Sequence, residues 1–75
     1  MNIAKVLDAK GLACPMPVVR TKKAISELES GEILQVLATD KGSKADITAW
    51  SGSQGHELLS STEENGVFIF NIKKK

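Results

Sequence analysis

The stretch GLACPMPVV, residues 11–19, holds the single cysteine of this 75-residue chain. A lone thiol closes no internal disulfide, so Cys14 is a buried apolar filler, an intermolecular partner or a reactive group. Pro15 and Pro17 flank Met16 directly after it. Proline fits the first turn of a helix, where its missing N–H has no intrahelical partner. Unsatisfied N–H groups and the positive end of the helix dipole favour an anion there. A thiol so placed is expected to titrate below its free value of ~8.5 and to act as a nucleophile. A stiffly mounted thiolate suits sulfur transfer. It attacks a sulfur held by a donor cysteine, as in thiol–disulfide exchange, and needs no second cysteine. A bare lone cysteine is more often inert filler. A filler, however, gains nothing from standing against two prolines at a strand–helix junction.

Two frames for the helix start are open. In one, Cys14 is the N-cap and Pro15 the first helical residue, which leaves the Met16 N–H for the sulfur. In the other, Met16 caps the helix and Pro17 opens it, because a residue before proline disfavours the α region. Asp8 and Gly11 flank the turn toward Cys14. Gly11 suits a turn conformation closed to other residues, and Asp8 suits a backbone hydrogen bond there. A second reading makes Asp8 a proton acceptor for the thiol. Lys10, Arg20, Lys22 and Lys23 either surround the thiol with positive charge and receive an acidic partner, or form a solvated helix face. Met16, flexible and polarizable, suits an apolar docking surface. His56 is the sole histidine and has no cysteine or histidine companions for a conventional zinc cluster. A hydrogen-bonding role after a helix end suits it. Trp50 reads as core or core edge.

These residues need elements to hold them. AKVLDA, residues 4–9, reads as a first strand. From Pro17 to Glu29, Val18, Thr21, Ala24, Ile25 and Leu28 fall at steps of three and four on one helical face, and Gly31 is a natural stop. EILQVLATD, residues 32–40, reads as a strand covered on one face and partly on the other, reached by a parallel crossover. Ser43 is placed to cap a second helix, with Asp46 as its acidic first-turn residue. Ile47, Trp50 and Gln54 share one side of that helix, and Gly55 ends it. HELLSSTE and VFIFNI flank Asn65-Gly66, a tight hairpin signal. The expected fold is α+β: one domain over residues 1–75, βαβαββ, a two-layer sandwich of a four-stranded mixed sheet with two helices on one face. KKK at 73–75 reads as a soluble, frayed end.

Composition narrows the function classes. A formal net charge of +1 and three aromatic residues, Trp50, Phe68 and Phe70, argue against dedicated nucleic-acid recognition. No stretch approaches the ~20 apolar residues that span a bilayer, and the first residues carry no signal-peptide run. With no disulfide framework, the expected location is cytoplasmic. No metal and no cofactor are expected.

LDAKGLACPMPVV resembles the signature of the TusA/SirA-like sulfur-carrier family, Leu-Asp-x-x-Gly-Leu-x-Cys-Pro-x-Pro, through Leu7, Asp8, Gly11, Leu12, Cys14, Pro15 and Pro17. The likeness continues through Gly31, Asp40, Asp46-Ile47 and GHELL at 55–59. Asp40-Lys41-Gly42 stands where many members have Asp-Pro, and AWSGSQG where some carry a further cysteine. The resemblance implies the βαβαββ sandwich and a persulfide on Cys14, taken from a cysteine desulfurase or rhodanese-like donor and passed to an acceptor protein. It implies sulfurtransferase-like chemistry without independent turnover. The family serves tRNA thiolation, molybdenum-cofactor formation, sulfur oxidation or selenium metabolism, and its name does not choose among them. The competing classes are a protein- or RNA-binding adaptor and a redox-sensing thiol.

Overall fold

The computed structural model describes residues 2–75. Its elements run β1 (Ile3–Ala9), α1 (Met16–Ser26), β2 (Ile33–Ala38), α2 (Ser43–Ser53), β3 (Glu57–Glu64) and β4 (Val67–Lys73). The expected βαβαββ order is what forms. The sheet order is β1-β2-β4-β3, with β1 parallel to β2 and the other two neighbouring pairs antiparallel.

Alternation along the strands decides which face the helices cover. Leu34, Val36 and Ala38 of β2 are buried, while the alternate residues Ile33, Gln35 and Leu37 are half-buried on the other face. Register carries the pattern across: Val36 pairs with Leu7 on one side and Phe70 on the other, and Leu34 with Ile72. α1 adds Ala24 and Ile25 to this core, and α2 adds Ile47. On the uncovered face, Gln35 donates to Asn71 and Asn71 to Ser60, a polar ladder across three strands (3.1 and 2.8 Å). The hairpin turns on Asn65 and Gly66 with φ of 51° and 80°, the paired positive values of a type I′ turn.

Several boundaries differ from the sequence reading. α1 ends at Ser26 rather than near Glu29, because the Glu27 and Leu28 N–H groups bond the third-previous carbonyls of Ala24 and Ile25 and tighten the last turn. Leu28 still packs on the core. Ser43 is not the cap of α2. Gly42 holds the N-cap position, and the Ser43 hydroxyl donates back to the Asp40 carbonyl (2.6 Å). Gln54 is exposed, and the buried side of α2 is Ser43, Ile47 and Ser51, with Trp50 half-buried. The terminal lysines are not frayed. Lys74 N–H donates to the Glu32 carbonyl and Gly31 N–H to the Lys74 carbonyl (both 2.8 Å), while Lys75 N–H donates to His56 Nδ1 (3.1 Å).

Candidate functional site around Cys14

β1 ends at Ala9, whose carbonyl accepts from the Leu12 N–H (3.3 Å), so the chain turns immediately. Gly11 makes that turn with φ +81° in the left-handed region, where a side chain is strained although the space beside it is open. Its N–H donates to Thr39 Oγ1 (2.9 Å), which ties the loop to the segment after β2. Asp8 Oδ1 accepts from the Lys10 N–H (3.0 Å) within the same turn. Asp8 is therefore engaged with backbone, and the thiol has a different carboxylate beside it.

The helix start follows neither expected frame. Pro15 occupies the N-cap position, Met16 and Pro17 are the first helical residues, and no side chain caps the helix. Cys14 stands just outside, exposed, and the peptide between it and Pro15 is cis. The Met16 N–H, the donor one frame reserved for sulfur, bonds the Ala13 carbonyl instead (2.9 Å). Pro15 and Pro17 have none to offer. Pro17 is buried and its carbonyl accepts from the buried Thr21 hydroxyl (2.7 Å), so the base of the loop is fixed to the core. Met16 is exposed beside the thiol, as is Val19 one helical turn on.

The sulfur's own partner is Asp46. Cys14 Sγ donates to Asp46 Oδ2 at 3.2 Å. That hydrogen bond, the partial loss of water around the exposed sulfur, and the negative charges of Asp46 and then Asp40 push the thiol pKa above its ordinary value. The expected lowering is thus reversed. The helix terminus has few free donors to offer an anion, and the charge in contact with the sulfur is acidic. Arg20 and Lys23 do not supply the opposite charge. They line a groove of about 230 Å³ between α1 and β1 with Lys5, Leu7, Ala24 and Glu27. Lys5 and Glu27 form an exposed ion pair there at 2.6 Å.

Asp46 was legible as a helix-start residue but not as the thiol's neighbour, being 32 residues away in sequence. Topology carries the missing signal. β1 and β2 lie parallel and adjacent, and each leads into a helix on the same face. Both helices therefore begin at the same edge of the sheet, and their first turns meet.

The fold and the site define a small α+β sandwich that exposes one thiol at a strand–helix junction, with a carboxylate at its side. The family model for sulfurtransferase TusA matches residues 5–74, and the chain belongs to the TusA family. The putative sulfur carrier protein YrkI of Bacillus subtilis (strain 168) is 66% identical over 74 residues, covering 99% of both chains. The sulfur carrier protein TusA of Allochromatium vinosum is 50% identical over 68 residues, covering 91% of this chain and 90% of that one. The crystal structure of a SirA-like protein from Desulfitobacterium hafniense superposes with a TM-score of 0.82 at 32% identity, covering 92% of this chain and 95% of the other. The family and the α+β fold expected from the motif both stand.

Proposed function

We propose that the chain is a sulfur carrier that holds sulfur as a persulfide on Cys14. The observation that carries this reading is a lone, exposed cysteine at the β1–α1 junction of a TusA-family fold. Loading is an exchange between thiols. The Cys14 sulfur attacks the outer sulfur of a donor Cys–S–SH, the donor's S–S bond breaks as the new one forms, and the donor leaves as a thiolate that takes up the Cys14 proton. The sulfane sulfur changes owner, and nothing is oxidised or reduced overall. The donor is a cysteine desulfurase or rhodanese-like protein, and the acceptor is a second protein that repeats the exchange. The cytoplasm is where such a relay of reduced thiols operates.

Supporting roles follow from position. Gly11 and Pro17 fix the loop, Pro15 stiffens it, Asp8 closes its turn, and Met16 presents an apolar surface beside the sulfur. Lys10, Arg20 and Lys23 form the polar approach for an acidic partner surface. The redox-sensor alternative has less support, because the relatives that cover nearly the whole chain are named sulfur carriers, while a disfavoured thiolate slows peroxide and sulfur donors alike.

The test is mass spectrometry after incubation with a cysteine desulfurase and cysteine. The expected result is added sulfur on the wild-type chain, removed by reductant and absent in Cys14→Ser. Labelling that survives the substitution overturns the assignment.

A further inference from the structure

From the geometry around the sulfur, we infer that Asp46 is a positioning residue that holds the resting Cys14 as a neutral thiol, so that the sulfur loses its proton only in the encounter with a donor. The inference rests on the carrier reading for its purpose and on the Asp46 contact for its physics. The contact is a donated hydrogen bond of 3.2 Å from Sγ to a carboxylate oxygen. Loss of the thiol proton would remove that bond and set two negative charges at the same separation, which disfavours the ionised form.

Asp46 is well placed to act this way. It sits in the first turn of α2, next to Ile47, whose side chain is fully buried, so its backbone is anchored. Its backbone N–H bonds the Gly42 carbonyl (3.1 Å), while Cys14 is the hydrogen-bond partner of its side chain among the described residues. Asp40 lies close by, with Oδ2 accepting from the Gly42 N–H (3.1 Å). A side chain at Gly42 would press on Asp40, its Cβ falling 3.2 Å from Oδ2, and would meet Asp46 Oδ2 in ordinary contact at 3.7 Å. The glycine keeps that space open. Of the charged groups on the segments around the thiol, Asp46 and Asp40 act on the sulfur. Lys10 in the loop after β1, Lys41 before α2 and Lys44 on its first turn are the cations carried by the same segments. The hydrogen bond to Asp46 is the largest cause that raises the thiol pKa.

The consequence is chemical restraint. A carrier thiol meets many oxidants and disulfides between visits to its donor, and the thiolate is the form that reacts with them. A carboxylate at the sulfur keeps that form scarce until an encounter removes the proton. Sulfur uptake then rises with pH through the range where the thiol ionises.

The experiment measures iodoacetamide alkylation of Cys14 against pH in the wild type, Asp46→Asn and Asp40→Asn. The Asp46→Asn midpoint is expected to fall, with alkylation at pH 7 several-fold faster. Asp40→Asn should move the same way by less. An Asp46→Asn midpoint that stays in place or rises overturns the assignment. The wild-type profile provides a second measure that needs no variant to fold. Its midpoint should lie above that of the same chain unfolded in urea, and a midpoint at or below the unfolded one also overturns it. Uptake of sulfur from inorganic polysulfide, followed by mass, should shift with pH in parallel with alkylation. A chain that takes up no sulfur yet shows the Asp46→Asn shift would count against the carrier reading while upholding the role of Asp46.

Discussion

Ile47→Ala tests whether one buried side chain places the acidic neighbour of the thiol. Beyond the half-buried Trp50, which packs at the core edge, α2 has little else to hold it. Its N-cap position is a glycine without a side-chain cap, Gly52 weakens its last turn, and its other buried residues are Ser43 and Ser51. Ile47 is its one fully buried apolar side chain, with 0% exposure. Truncating a buried isoleucine to alanine costs about 2–5 kcal/mol, from lost transfer energy and the cavity left behind. At about 0.05–0.15 kcal/mol per residue, a chain of this size has about 4–11 kcal/mol in total. The truncation therefore removes a large share of the stability. With a urea dependence near ~1 kcal/mol per molar for so small a domain, the unfolding midpoint should fall by about 2 M or more. Ile47→Val keeps the branch and should cost only about 0.5–1.5 kcal/mol. The site should respond as well, because Asp46 precedes Ile47 and a loosened α2 lets the carboxylate leave the sulfur. Alkylation of Cys14 at fixed pH, measured well below the unfolding midpoint, should quicken in Ile47→Ala and stay near wild type in Ile47→Val. A midpoint shift under ~0.5 M would refute the anchoring argument. A large shift with an unchanged alkylation profile would show that Asp46 is placed by something other than the burial of Ile47.

Two further outcomes follow from the same structure. His56 is held below its ordinary pKa by burial and then by the charges of Lys75 and Lys74, and its Nδ1 accepts the Lys75 N–H. A folded state that resists protonation contributes stability above the unfolded value of about 6.5 and loses it as pH falls from there toward the lowered folded value. His56→Gln should flatten that slope in urea melts between pH 7 and pH 5, and the His56 ring resonances should titrate below the unfolded range. Gly66→Ala should cost about 1–2 kcal/mol by the same melts, since φ +80° is closed to alanine while the surrounding space is empty. A loss of less than ~0.3 kcal/mol would show that the turn relaxes to another type.

Elements with strong periodic or turn signals were legible. The three-and-four spacing of Thr21, Ala24, Ile25 and Leu28, the Asn65-Gly66 turn and the strand–helix–strand spacing are enough for the element order and the parallel crossover. What escaped was set by competition between local partners. Ser43 satisfies the criteria for an N-cap, yet its hydroxyl reaches the Asp40 carbonyl, a choice that depends on the path of the loop. The lysine run looked like a solvated tail, yet its backbone continues the pairing beside Glu32 and Gly31, which no side-chain property announces.

The electrostatics of the thiol were misread for a related reason, and magnitudes show why the sign reversed. The helix-dipole argument is local and general, and at an exposed end it contributes only about 0.3–1 kcal/mol within the first turn. It also presumes free N–H groups, whereas Met16 gives its own to Ala13 and two of the neighbouring residues are prolines. Against this weak attraction stands a carboxylate in direct hydrogen-bond contact, with a second one nearby. Contact outweighs a partial charge that has been largely spent on backbone. The sequence contained the means to anticipate it. Two parallel neighbouring strands that each enter a helix on one face must bring both helix starts together, and an acidic residue favoured at one start then becomes a neighbour of whatever stands at the other. In this chain the dipole that attracts Asp46 to the start of α2 also delivers it to the sulfur at the start of α1. The surroundings of the Cys14 thiol are therefore set by two helices, and substitutions confined to the Cys-Pro-x-Pro segment leave the contribution of α2 untouched.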